Sequence, residues 1–169
     1  MVGKLIMDYC KVKIVIGGTI AMDHVQLIAA TIADEHHKSV KLIVSEIEYA
    51  AEKNETYSIE FQEVTWESMS VIHESINKSD GCYRTTIRGD EFVTDRRLMR
   101  LDGIVKETTI SQGRATIELS LLYQAEKTGN LMALLDEYRI FEKPIPKLVL
   151  VSSARERMAA EMTPNVSTN

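Results

Sequence analysis

Residues that staple, break or loosen a chain are scarce here: 169 positions hold two cysteines, three prolines and eight glycines. Cys10 and Cys82 allow one disulfide at most, and two cysteines are also what a cytosolic protein carries as free thiols, which is the favoured reading. Zinc-ligand spacing is missing, because His36 and His37 are adjacent and point apart on a helix, and His24 lies a full helix away. Nothing approaches the roughly 18 apolar residues of a membrane span. The longest apolar runs, 14–20 and 148–151, are strand-sized. The N-terminal stretch has neither the long apolar core nor the small-residue cleavage site of a signal peptide. Both phosphate-binding signatures are absent too. Gly17-Gly18-Thr19 lies between a strand and a helix, but it matches neither G-x-G-x-x-G nor a glycine-rich loop closed by Lys-Ser/Thr. Asp23 nearby would repel an anion, so the glycines read as backbone devices.

What is present is an ordinary globular composition, 44% hydrophobic and 27% charged, with a formal net charge of −5. Residues 21–80 hold twelve acids against four bases, while 1–20 and 81–114 are each slightly basic. The overall acidity argues against a general nucleic-acid binder, which needs cations to displace counterions from phosphate. The acidic block reads as solvated helix faces or as a docking patch for a basic partner.

Hydrophobic spacing sets out an order of elements. Val12, Ile14 and Ile16 alternate as in a strand, and Val25, Ile28, Ala29 and Ile32 recur at helical spacing, so a helix is expected from Met22 to about His36. Residues 40–44 read as a second strand, with Ser45 capping a brief helix through Ala51, or with 42–49 as one alternating strand. Residues 57–88 read as strand, helix, turn and strand, with Thr65 as helix cap and Ser79-Asp80-Gly81 as the turn. Residues 89–103 are expected as a loop with a short strand at 91–94, followed by a strand at 104–110. Two short helices separated by Gly129-Asn130, a strand at 147–151 and a final helix from Ser152 or Ser153 to about Glu161 complete the order. The expected fold is α+β: a mixed sheet with helices packed on one face, two strand-helix-strand units and a helical C-terminal section. It forms one domain over 1–162, with halves at about 1–55 and 56–162, and a disordered tail at 163–169.

No set of residues has the pattern of a catalytic centre. His73 sits on the apolar face of the central helix, where a satisfied core histidine is the commoner occupant. Cys82 beside His73 would lack an orienting third group and an oxyanion site. Glu60 and Glu63 point to opposite faces of a strand, and Asp90, Glu91 and Asp95 lack calcium-loop spacing. Two binding groups remain. Asp34, Glu35, Glu46, Glu48, Glu52 and Glu55, with Trp66 as an aromatic anchor, form the expected partner-binding set. Arg96, Arg97 and Arg100 form an anion-binding candidate, arginine forks being suited to phosphate and carboxylate.

Ser79-Asp80-Gly81-Cys82-Tyr83 after a strand-helix unit, followed by the run from Gly129 to Leu135, resembles small acidic α/β proteins of bacterial phages and plasmids. The resemblance spans residues 57–138 and implies a mobile-element setting, in which such proteins bind and block host complexes. The expectation is a cytoplasmic, non-enzymatic interaction protein without cofactor, metal, membrane or direct nucleic-acid contact. It would inhibit a host nucleic-acid-handling or defence complex, in an anti-CRISPR-like manner, by docking on a basic surface. The alternatives are a small hydrolase or nucleotide-binding enzyme, and a structural, homo-oligomeric protein of a mobile element.

Overall fold

The structure is a computed structural model, which describes residues 10–88 and 95–152. In chain order the elements are β1 (Cys10–Ala21), α1 (Met22–His36), α2 (Val40–Glu52), β2 (Tyr57–Val64), α3 (Trp66–Asn77) and β3 (Gly81–Arg88). These are followed by β4 (Arg96–Leu101), β5 (Ile104–Ser111), β6 (Arg114–Ala115), α4 (Leu119–Lys127), α5 (Leu131–Tyr138), a 3₁₀ turn (Arg139–Glu142) and β7 (Leu148–Val151). The class is α+β, as the spacing predicts. One sheet runs in the order β2-β1-β3-β4-β5-β6, and β7 joins β1 as the one parallel neighbour among the described strands.

β1 is the central strand, and its alternation divides the molecule into two sides. Val12, Ile14, Ile16 and Ile20 are buried against α1, α2 and α3, together with Tyr57, Ile59 and Phe61 of β2 and Tyr83 and Ile87 of β3. Each fully buried aliphatic side chain there contributes about 1.5–3 kcal/mol of transfer free energy. The intervening residues face the other way: Lys11 and Lys13 are exposed, while Val15 enters a second, smaller cluster with Cys82, Met99, Leu101, Phe141 and Ile145. The 3₁₀ turn and the chain after it thus cover one end of the sheet face opposite the helices, and among the described residues no element covers the other end.

The helices form where spacing and caps agree. α1 buries Val25, Ile28, Ala29, Ile32 and Ala33, and ends where His37 enters the left-handed region at φ 54°. α3 starts at Thr65, whose hydroxyl accepts the Ser68 N–H at 3.3 Å. The expected strand at 40–44 is instead the first turn of α2. Ile43, Val44, Ile47 and Ala50 recur at three and four and are all buried, and the cap is Ser39, which accepts the Leu42 N–H at 3.2 Å. Ser45 is an interior residue of α2, its hydroxyl donating to the Lys41 carbonyl at 3.0 Å. The first unit is therefore strand-helix-helix.

A second correction concerns residues 89–103. The expected strand at 91–94 lies outside the described residues, but Arg96–Leu101 is β4, paired with both β3 and β5. Asp102 and Gly103, at φ 52° and 75°, make the two-residue hairpin turn between β4 and β5. The strands at 57–64, 81–88, 104–111 and 148–151 and the α4–α5 pair stand close to their expected places. The final helix to Glu161 and the tail at 163–169 lie outside the described residues.

β1 runs straight through Gly17-Gly18-Thr19. A Cβ on Gly17 would stand 1.9 Å from the Pro146 carbonyl oxygen, and Gly18, at φ 77°, donates its N–H towards the carbonyls of Pro146 and Lys147. The glycines admit the C-terminal segment against the central strand. Cys82 lies opposite Gly17, and Cys10 lies at the far end of β1, about 20 Å away at 3.3 Å per residue. A disulfide between them is excluded by that separation. Cys82 is a buried free thiol.

Candidate binding surfaces

A groove of about 740 Å3 lies on the helix-free sheet face. Strand alternation supplies its cations. Across β1 and β3, Lys11 stands opposite Arg88 and Lys13 opposite Thr86; across β3 and β4, Thr86 stands opposite Arg97. Lys11, Lys13, Arg88 and Arg97 therefore share one face, with Arg84 one row further along. Glu60 and Asp95 line the same groove. Lys13 and Glu60 form an exposed ion pair at 2.9 Å, and this hydrogen-bonded ammonium holds the Glu60 carboxyl below the usual carboxylate range, with Arg88 adding to the effect. Lys11 and Arg88 are exposed and have no ion-pair partner among the described residues. Like charges directly opposite one another weaken a strand pair, so this placement costs the fold stability.

Arg97 is held more firmly. Its Nη2 donates to the Gly113 carbonyl at 3.0 Å and its Nη1 reaches the Phe141 carbonyl at 3.4 Å, while its buried Nε has no hydrogen-bond partner. Burial, and secondarily the neighbouring charge of Arg84, depress its basicity. An anion in the groove would relieve both.

The anion-binding triplet read from sequence is not one site. Alternation along β4 sends Arg97 to the groove and Arg96 and Arg100 to the opposite face. Arg100 is spent on the carbonyls of Ser79, at 3.0 Å, and Gly81, while Arg96 pairs with Glu107 at 3.5 Å. The lysines were missed, although the alternating Lys11-Val12-Lys13 carries the signal, and Arg88 belongs to the arginine-rich segment 84–114 but stood outside the triplet.

The acidic set is spread over the helix layer. From Met22 to Lys78, outside β2, nine carboxylates stand against four lysines. Glu48 and Glu52 lie one turn apart on α2, and Glu55 follows in the next loop. Asp34 and Glu35 are at the end of α1 beside the start of α2, on the order of 15 Å from Glu52 along the helix. Glu46 is committed inward: it accepts from Lys38 and from the Tyr57 hydroxyl, each at 3.0 Å. Burial, and then the Glu46 charge, push the Tyr57 phenol well above its ordinary range. Trp66 is the first residue of α3. Tyr49 is an exposed aromatic beside the acids, 60% accessible, with the Lys53 ammonium 5.3 Å from its ring centre.

His73 faces neither surface. Its ring stacks on Tyr83 with centroids 4.6 Å apart, and its Nε2 meets the Thr85 hydroxyl at 2.7 Å inside the helix-side core. Cys82 projects from the opposite face of β3, so the two cannot act as nucleophile and base. Among the described residues no His, Cys, Asp and Glu group could hold a metal ion, and no helix is long and apolar enough to cross a membrane. No family model, curated protein or solved structure matches the chain.

Proposed function

We propose that this protein is a non-catalytic interaction module whose open sheet face takes an acidic segment of a partner protein. The observation that carries the reading is the facing of Lys11 and Arg88 on adjacent central strands, neither of them in an ion pair among the described residues. A fold keeps such a pair at a cost, and an incoming carboxylate converts the cost into binding energy. Glu60 and Asp95 in the same groove favour a mixed-charge protein segment over a phosphate backbone. Phe61, the aromatic residue of the groove among the described residues, has its ring in the helix-side core at 3% accessibility and offers no stacking platform for a base.

The test titrates a labelled oligoglutamate peptide and a single-stranded oligonucleotide of equal charge against the protein and against Lys11→Glu/Arg88→Glu. The peptide is expected to bind, and the double reversal to weaken it at least tenfold, about 1.4 kcal/mol. Peptide binding unchanged by the reversal, or binding of the oligonucleotide alone, refutes the proposal.

A second reading uses the opposite side. The exposed Tyr49 between Glu48 and Glu52 has the make-up of an aromatic anchor with an acidic rim, suited to a basic host surface. The phage and plasmid resemblance accords with it, as does blocking of a host nucleic-acid-handling complex. Capture of one partner that is lost with Tyr49→Ala/Glu48→Lys/Glu52→Lys, but kept with the groove reversal, would decide for this reading.

A further inference from the structure

Resting on the reading above, that the helix-free sheet face takes an acidic segment, we infer that this segment is extended and is held at two points by carboxylates two residues apart. Lys11 and Arg88 hold the first carboxylate, and Arg97 selects the second. The register separates the two points. Arg97 stands opposite Thr86, and Arg88 lies two residues beyond Thr86 on β3. Two residues of strand span about 6.6 Å and neighbouring strands lie about 4.8 Å apart, which puts the Arg88 and Arg97 backbones about 8 Å apart on the same side of the sheet. The neighbours of Arg97 in its own row add no competing site, since Thr86 is uncharged and the Lys13 ammonium is bound to Glu60 at 2.9 Å.

The two points differ in kind. Lys11 and Arg88 are exposed, and their long stems let the charges follow a ligand. Arg97 is half-buried and fixed: the carbonyls of Gly113, at 3.0 Å, and Phe141, at 3.4 Å, hold its fork. Neutral carbonyls orient a guanidinium without cancelling its charge. Arg97 has no ion pair among the described residues, its Nε is buried without a partner, and the like charge of Arg84 stands near it. Such a cation has already lost much of its water, so a carboxylate gains more there than at an exposed arginine. The mobile pair supplies attraction, and the fixed fork supplies the geometric requirement.

The spacing of the acids follows from the geometry of an extended chain. Residues i and i+2 lie on one side, about 6.6 Å apart, whereas i+1 and i+3 point to the other side. The reach of the carboxylate side chains covers the remainder to about 8 Å. Acids at i and i+2 therefore meet both points together, while acids at i and i+1 or at i and i+3 meet one. Glu60 and Asp95 line the same groove and discourage carboxylates elsewhere along it, which sharpens the requirement.

The test titrates short glycine-serine peptides with blocked ends, each carrying two glutamates at i and i+1, i and i+2, or i and i+3, into the full chain at about 0.05 M salt. Chemical shifts of the protein amides report the binding, and oligoglutamate is the control. The wild type is expected to bind the i, i+2 peptide about fivefold more tightly than the other two. Arg97→Met, which keeps the unbranched stem, should bind all three alike at the weaker level. Equal binding of the three by the wild type, or tightest binding of an odd spacing, overturns the two-point inference without need of any variant. A spacing preference that persists in a folded Arg97→Met overturns it as well. If oligoglutamate binds and none of the three does, this inference alone fails; if oligoglutamate also fails to bind, the reading beneath it falls too.

Discussion

Acidification from about pH 7.5 to about pH 5 is expected to cost this fold about 2 kcal/mol through a single imidazole. His73 is 7% accessible, and burial lowers its ionisation from 6.5 to about 4. Folding therefore favours the neutral ring. The stability this contributes is complete above pH 6.5, declines as the unfolded chain begins to take up the proton, and is fully lost near pH 4. The whole interval is worth about 3 kcal/mol at about 1.36 kcal/mol per pH unit, and roughly two-thirds of it has gone by pH 5. Solvent screening takes little from this figure, because the ring is enclosed between Tyr83 and Thr85. The comparison variant is His73→Phe/Thr85→Val, which keeps the stacked ring and the branched side chain while removing both polar partners together, so that no buried hydroxyl is stranded. Urea unfolding followed by circular dichroism at several pH values measures both proteins, and the carboxylates common to them cancel in the difference. The wild type should lose about 2 kcal/mol more than the variant between the two pH values. Parallel curves would show that the imidazole is not held neutral by burial, and the reasoning would fail.

Two other perturbations test the packing. Gly17→Ala places a methyl group against the Pro146 carbonyl, a backbone atom with little room to move, and should cost at least about 2 kcal/mol in urea unfolding. Ser39→Ala and Thr65→Ala each remove a helix cap and should each cost about 1 kcal/mol, nearly additively, because the caps serve different helices; a cost near zero at position 39 would contradict the start assigned to α2.

The elements that sequence patterning recovers are those in which local period and burial agree. β1, β2 and β3 carry an apolar face opposite a polar one, and α1 and α3 place their aliphatic residues at three and four, so each announces its type without knowledge of its neighbours. α2 misleads because its first turn is a β-branched, apolar run that a buried strand would also show; Ser39 settles it only once the N–H of Leu42 is seen to need an acceptor. β4 is hidden for the opposite reason. Arginines stand on both of its faces, so it has no apolar period, and it is a strand because β3 and β5 supply backbone partners on either side. The Asp102-Gly103 turn is the local signal that points to this hairpin.

The sequence by itself determined the α+β class, the core positions of β1, β2, β3, α1 and α3, and the acidity of the segment 21–80, all of which follow from the type and period of nearby residues. The binding surfaces were decided by tertiary structure. Lys11 and Lys13 are far in sequence from Arg88 and Arg97, and only strand pairing brings them onto one face, while the alternation of β4 disperses arginines that are neighbours in the chain. Pairing across a sheet joins residues by register, which no local window contains, and the groove is a product of that register.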